Sequence, residues 1–305
     1  MHPAKNYPLI LIVTTLLLVG LFLYLYVQRS YRDFVESQDA LMNQSTTGAA
    51  RILEMFIKET QRDVVLFVEK ESGLIAQLSK EPGNQNLEQQ FSESLQKYFP
   101  NYFAYSITDS SGAIQLDDFD GRIGEVCRND ISQATDHGGN HKVWIHPNPL
   151  GYHFDIMTDW EFGEGEKGIF FVSFNPQTLA KVLGSSHVHE HQLFLLNKDR
   201  PGLIEITAAG TRKDLQRDVV LSEEELARIR YATDIEGSRW SLVDLPDENL
   251  FPRYKEQTLA RAIYIFLVFL VFSSLMYLLI RKEETRRAAA EAAVKKSHDE
   301  LEKHQ

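Results

Sequence analysis

Phe103-Ala104-Tyr105-Ser106-Ile107-Thr108, Asp109-Ser110-Ser111-Gly112, Ala113-Ile114-Gln115-Leu116 is the stretch on which the fold turns. Two runs of apolar, aromatic and β-branched residues flank four turn formers, which is the pattern of a β-hairpin. Upstream the pattern is helical. From Tyr31 to about Lys70 there is no proline and a single glycine. Ile52, Leu53, Phe56 and Ile57 fall at helical spacing, with Leu41 and Ala49 before them and Val64 and Phe67 after, so a long amphipathic helix is expected. Glu81-Pro82-Gly83-Asn84 breaks it, and Leu87 to Tyr98 reads as another helix ended by Pro100. Downstream, Gly124 to Ala134 reads as a short helix. Lys142 to His146, Tyr152 to Thr158 and Gly168 to Phe174 read as strands, with turns in Asp136 to Asn140 and Phe162 to Lys167. Helices followed by about five antiparallel strands define an α+β domain built on one sheet.

The pattern then recurs in smaller form. Asn175 to Leu183 is helical, with Pro176 at its first turn. Gln192 to Leu196, the turn Asn197-Lys198-Asp199-Arg200-Pro201-Gly202 and Leu203 to Ala208 echo the first hairpin: an apolar strand, an Asp-containing turn ending in Gly, an apolar strand. Ser222 and Glu225 form a capping-box pair that opens a helix over Glu223 to Arg230. A last strand, Trp240-Ser241-Leu242-Val243, leads through Pro246 and Pro252 out of the domain. A second, smaller sheet unit is therefore expected.

Two apolar stretches bracket these units. Leu9 to Val27 and Ala262 to Ile280 each run nineteen residues without a charge, about the length that crosses the hydrocarbon core of a bilayer as helix. Gln28-Arg29-Ser30-Tyr31-Arg32 follows the first stretch where a small-x-small cleavage site would be needed, so it reads as an anchor rather than a removed signal peptide. Arg281 to Lys303 is rich in Ala, Glu, Lys and Arg, with no Pro or Gly, so the second span should continue as one helix beyond the bilayer. Its cluster Arg281, Lys282, Arg286, Arg287, Lys295 and Lys296 predicts a cytoplasmic C-terminus, hence a cytoplasmic N-terminus and an external domain. The expected layout is a cytoplasmic 1–8, a span at 9–28, a stalk helix with a first sheet unit at 29–184, a second unit at 185–258, a span at 259–280 and a helical linker at 281–305. The chain has a formal charge of -11, and residues 29–258 alone carry 37 acidic against 23 basic side chains. An acidic domain is unsuited to phosphate backbones, so nucleic acid is not an expected partner. Cys127 is the single cysteine, so an intrachain disulfide is excluded.

This order of elements resembles the Cache family, the extracytoplasmic PAS-like sensor domains of bacterial membrane receptors. The resemblance is carried by the hairpin around Asp109 to Gly112, by the strand Gly168-Ile169-Phe170-Phe171-Val172-Ser173, and by the second hairpin with Gly237-Ser238-Arg239-Trp240-Ser241-Leu242-Val243 for the membrane-proximal unit of the double form. It covers most of Tyr31 to Phe251. It implies an inner-membrane receptor with a periplasmic sensor for a small solute or partner, an output module of histidine-kinase or diguanylate-cyclase type beyond the cytoplasmic helix, and a homodimer. The family's amine- and amino-acid-binding arrangement of Arg, aromatic, Tyr and Asp does not map cleanly here; the nearest residues are Arg128, Trp144, Tyr152 and Asp155. Ser297-His298-Asp299-Glu300-Leu301 looks like a kinase phospho-acceptor box but lacks the Arg-Thr-Pro that should follow. No cyclase signature or nucleotide-phosphate loop occurs. Ile280, Val294 and Leu301 are seven or fourteen residues apart with Arg287 between, a weak heptad.

Trp144, His146, Tyr152 and Asp155 sit on adjacent expected strands, with Trp144 and His146 on one face. With Arg128 as a carboxylate clamp, they are the candidate ligand-binding residues. His187, His189 and His191 alternate and would share one side of a strand, but a metal site needs three or four converging ligands; they read first as a polar, exposed loop before the Gln192 strand, so no metal site is expected, and they are the lesser candidates for one. Asp117, Asp118 and Asp120 precede Gly121 without the spacing of a calcium loop and read as a solvated turn. No catalytic set and no cofactor motif stands out, so an enzyme is neither asserted nor excluded. The other functional class left open is a membrane scaffold whose external domain binds another envelope protein.

Overall fold

The computed structural model describes residues 7–117, 124–137, 142–148, 151–163 and 165–302. Asp118, Asp120 and Gly121 of the acidic turn lie outside these, as do residues 138–140 and 164 of two expected turns. The chain is α+β, with long helices at both ends and two antiparallel sheets between them. It divides into two compact units, one of the described residues up to Gln38 with those from Glu248 onward, the other Asp39–Asp247.

The first unit is helical. Helix α1 covers Tyr7–Lys80 and continues into the second unit; helix α6 covers Leu250–Glu302. Each contains an eighteen-residue window of mean hydropathy 2.6, and these windows are 11% and 0% buried. Low burial sets them apart from the core helix of a water-soluble protein, leaving apolar surface that suits lipid. Leu23 and Val27 of α1 pack on Ala262 of α6, with Val19 and Phe266 beside them. Nearer the chain's middle, Phe34 stacks on Tyr254 with centroids 3.8 Å apart and planes 4° apart. Ser30 Oγ lies 3.0 Å from the same tyrosine's hydroxyl. The continuous α6 agrees with a charged run of helix formers that nothing interrupts.

In the second unit α1 ends at Lys80, directly before the Glu81-Pro82-Gly83-Asn84 break. Asn84 then caps α2 (Gln85–Tyr98), its Oδ1 accepting from Leu87 N at 3.4 Å. Strands β1 (Tyr102–Thr108) and β2 (Ile114–Asp117) form the expected hairpin. Asp109 closes its turn, accepting from Ser111 N (2.8 Å) and Ala113 N (3.1 Å). Helix α3 (Glu125–His137) follows, then β3 (Ile145–Asn148), β4 (Gly151–Phe162) and β5 (Glu166–Phe174). The strand order is β2-β1-β5-β4-β3. After α4 (Gln177–Ser185) come β6 (His191–Asn197), β7 (Ile204–Thr207) and β8 (Gly210–Thr211), then α5 (Glu223–Arg228), β9 (Tyr231–Asp234) and β10 (Trp240–Pro246), in the order β8-β7-β6-β10-β9.

The two sheets share a plan. In each, the opening strand pairs with its hairpin partner on one side and with the sheet's last strand on the other, and that last strand pairs with the one before it. The glycines closing the two hairpin turns, Gly112 and Gly202, both take positive φ (79° and 77°), where a Cβ is strained. Two short strands escape the sequence pattern. β8 is two residues long, and β9 is a half-exposed Tyr-Ala-Thr-Asp with no apolar alternation. Pairing along Ser241 to Asp244 recruits β9, a tertiary effect that local propensity does not carry. Lys142 to Val143, expected as the start of a strand, instead bridges to the second sheet: Val143 N donates to Gly237 O and Arg239 N to Val143 O, both at 2.9 Å.

Both faces of the first sheet are covered. Tyr105, Ile107, Phe154, Ile156, Trp160, Phe170, Val172 and Phe174 belong to the main core with Leu53, Phe67 and Ile75 of α1 and Phe91 and Leu95 of α2. The alternate positions Ala104, Met157, Ile169 and Phe171 pack with Cys127, Ile131 and Ala134 of α3. Gly168 holds the sheet's far end tight: a Cβ there would lie 1.9 Å from the carbonyl oxygen of Thr108. That carbonyl accepts from Trp160 Nε1 (3.1 Å), while Thr108 Oγ1 accepts from Ile169 N (3.0 Å). Gly168→Ala must push backbone against backbone and is expected to destabilise the chain by about 3 kcal/mol or more, the upper end of what overpacking costs. Urea unfolding followed by tryptophan fluorescence checks this; an unchanged midpoint contradicts the close approach.

Candidate functional site

The α3 face of the first sheet holds a polar cluster inside an otherwise apolar layer. Its origin is the register of the β3–β4 hairpin, in which Ile145 faces Phe154, His146 faces His153 and Pro147 faces Tyr152. Side chains alternate across a strand. The register that sends Ile145, Phe154 and Ile156 to the main core therefore sends His146, His153 and Asp155 to the other face. On β5, Ser173 is paired with Asp155. Cys127 comes down on the same spot from the first turn of α3.

The donor atoms of Cys127, His146, His153 and Asp155 all lie within 4.8 Å of one another, and all four residues are buried. Cys127 Sγ is 3.4 Å from His146 Nδ1 and 3.7 Å from His153 Nε2. Asp155 Oδ2 is 2.6 Å from His146 Nδ1, and Asp155 Oδ1 is 3.5 Å from His153 Nε2. A second layer surrounds these atoms. Ser173 Oγ donates to Asp155 Oδ1 (2.7 Å), and His153 Nδ1 lies 3.1 Å from Gly151 O. His146 Nε2 lies 3.0 Å from Asp130 Oδ2, to which Trp144 Nε1 donates at 2.6 Å. Despite these short separations, His146 Nε2 and Asp155 Oδ2 have no aligned hydrogen bond. The Arg239 guanidinium stands 5.1 Å from the Trp144 ring centre.

The electrostatics favour positive charge here. Burial opposes a proton on His146, but the Asp155 carboxylate, with contacts to Asp130 and Cys127, overcomes it and holds His146 well above the usual imidazole range. Burial likewise works against charge on Asp130, yet His146 and Trp144 keep its carboxyl below the ordinary value. On His153 burial prevails, helped by the neighbouring His146, and its pKa falls. The two histidines are thus driven apart, one toward the cation and one toward the neutral ring.

Of the five residues expected to bind ligand, the structure brings His146 and Asp155 into contact and places Trp144 beside them, its ring 4.2 Å from that of His146. Tyr152 goes to the opposite face, packed on the main core with Arg212 5.6 Å from its ring centre. Arg128 is exposed on α3. The alternating histidines do not share a strand: His187 and His189 are exposed in the connection after α4, and His191 alone enters β6. His191 is buried and its Nδ1 is 2.8 Å from Asp244 Oδ1. Sequence reasoning overlooked Cys127, His153, Asp130 and Ser173 as members of one site. The signal was His153-x-Asp155, two polar residues at strand spacing in an apolar run, opposite His146 across a short turn.

No family model matches the chain, and no curated protein sequence is similar to it. Solved structures are. The extracellular domain of vpHK1S-Z8, a protein named as a histidine kinase, superposes with a TM-score of 0.51 at 14% identity, over 72% of this chain and 98% of its own. The sensory domain of the Campylobacter jejuni chemoreceptor Tlp3 gives 0.49 at 10% identity over 73% and 98%. The periplasmic domain of Vibrio cholerae LuxQ gives 0.47 at 14% identity over 68% and 100%. The first of these establishes a fold shared with an extracellular domain. The chain spans 39% of a longer neighbour, an extracellular ligand-binding receptor from Desulfohalobium retbaense.

Asp155→Ala leaves His146 buried without its main counter-charge, so it is expected to cost about 3–5 kcal/mol, the range for stripping one partner from a buried pair. Chemical unfolding of the metal-free chain measures it. A cost below about 1 kcal/mol, the level of an exposed pair, would show that the contact is not a charged one.

Proposed function

We propose that the chain is a membrane signal receptor whose Asp39–Asp247 unit senses a small ligand outside the cytoplasm and biases an output module through α6. The observation that carries this reading is a buried polar cluster on the α3 face of the first sheet, in a sensor-type fold whose two ends are helices fit to cross a bilayer. Buried polar side chains converging on one spot supply the few polar contacts by which a site fixes a small ligand or ion. The apolar windows and the basic run after the second one support an inner-membrane location with both termini in the cytoplasm. A homodimer is part of the proposal, since two copies of α6 give a signal something to move against.

Ligand binding moves such a receptor only through unequal affinity for its two states. Among the solved neighbours, the ligand-binding domain of Mlp24 is described with asparagine and that of CtaA with L-leucine. Amino acids are therefore one probe class for this chain, alongside small amines, small acids and divalent metals.

Orientation is tested by cysteine labelling in intact cells. Ser222 and Ser297 are both exposed, while Cys127 is buried. Ser222→Cys should react with a membrane-impermeant maleimide, and Ser297→Cys should react only after permeabilisation. The reverse pattern overturns the receptor topology. Transmission is tested by spin labels at Ser297 in lipid nanodiscs: a saturating ligand should change the label separation between paired copies, and an unchanged separation with proven binding rejects signalling through α6.

A further inference from the structure

We propose that Cys127, His146, His153 and Asp155 are the four ligands of a single divalent transition-metal cation of the zinc class. The proposal deepens the receptor reading by naming the ligand class of the same site. It rests on that reading for the claim that the metal is a signal.

The geometry is that of a tetrahedral site. Zinc bonds to sulfur, nitrogen and oxygen of about 2.0–2.3 Å set neighbouring ligand atoms roughly 3.3–3.6 Å apart around a tetrahedron. Two of the separations observed fall in that range, 3.4 Å from Cys127 Sγ to His146 Nδ1 and 3.5 Å from His153 Nε2 to Asp155 Oδ1, and a third, 3.7 Å from Cys127 Sγ to His153 Nε2, lies just above it. The fourth, 2.6 Å from His146 Nδ1 to Asp155 Oδ2, is shorter. A small rotation of the carboxylate, which has two oxygens to offer, opens it. The atoms are too close to hold an organic molecule among them and suitably spaced for one ion.

The chemistry of the set selects the ion. One thiolate, two imidazoles and one carboxylate form a mixed sulfur, nitrogen and oxygen shell that suits zinc; calcium and magnesium require oxygen ligands. Thiolate and carboxylate together carry two negative charges, which a divalent cation cancels inside a buried layer.

Support beyond the four ligands points the same way. Imidazoles that bind metal usually present their second nitrogen to a carboxylate or a backbone carbonyl. Here both do: His146 Nε2 lies 3.0 Å from Asp130 Oδ2 and His153 Nδ1 lies 3.1 Å from Gly151 O. Asp130 is in turn held by Trp144, and Asp155 by Ser173. The unaligned Asp155 Oδ2 is a buried acceptor, a group that is rarely left without a partner.

The test uses the full chain in lipid nanodiscs, stripped with a chelator and then offered zinc. Elemental analysis should find one zinc per chain, and cobalt in its place should give thiolate-to-cobalt charge-transfer absorption. Cys127→Ser should abolish that absorption. Cys127→Ser and His153→Gln should each weaken zinc binding, read by competition with a chromophoric chelator, more than Asp130→Asn, a positioning residue whose loss should cost roughly 10–100-fold. A His187→Gln, His189→Gln double variant, with unchanged circular dichroism, should bind as the native chain does. The proposal is overturned if the folded native chain takes up no zinc, if magnesium or calcium displaces zinc at equal concentration, or if one equivalent binds and survives Cys127→Ser and His153→Gln. Zinc uptake with no change in the Ser297 label separation keeps the metal site and rejects the receptor reading. A separation that responds to an amino acid in a chain that takes up no zinc does the opposite.

Discussion

A sheet covered on both faces has no side open to water, so every polar side chain on either face must find its partner within the protein. The first sheet of this chain lives under that constraint. Its longest strand, β4, spends Phe154, Ile156 and Trp160 on the core shared with α1 and α2, and puts His153 and Asp155 on the face under α3. Asp155 is bonded to Ser173 across the strand pair and sits against His146 in the next strand. The polar groups under α3 are thus tied into one network by the alternation that builds the main core. A one-residue slip of β4 would turn His153 and Asp155 in among phenylalanines and send Phe154 and Ile156 to the face under α3, so site and fold stand or fall on one register.

The second sheet meets the same constraint with charge pairs. Glu205 of β7 is buried and is bonded to Asn197 at 2.6 Å and to Arg212 through two guanidinium nitrogens. His191 and Asp244 pair across β6 and β10. These pairs lie apart from one another, and among the described residues it is the first sheet that gathers three or more metal-capable side chains. Two sheets with one strand plan therefore differ, the first holding a convergent cluster and the second a set of separate pairs.

Much of this was legible in the residues. The long helices, both hairpins with their glycine-closed turns, the capping box at Ser222 and the two apolar spans follow from periodicity and turn chemistry, which act within a few residues. Trp144, His146 and Asp155 were likewise visible as polar points on apolar strands. What was hidden depends on pairing at long range. Cys127 joins His153 only because α3 folds back over β4, whereas the opposite faces of Tyr152 and Asp155, three residues apart on one strand, follow from alternation alone. The alternation of His187, His189 and His191 carried no structure because a strand begins only at the last of them. Short strands such as β9 exist because a neighbour offers hydrogen bonds, a cause that no local window contains.

All four strands at the sheet margins are short. β2, β3 and β9 have four residues each and β8 has two, against seven to twelve for β1, β4, β5, β6 and β10; of the interior strands β7 alone is as short, with four. β3 also contains Pro147, which has no N–H to offer a neighbouring strand. Exposed strand edges are templates for lateral growth, and brevity and proline both blunt them. The described edges of both sheets therefore offer little to a further strand from another copy of the chain. Any self-association is left to the helices, whose contacts slide and rotate more readily than a hydrogen-bonded ladder can.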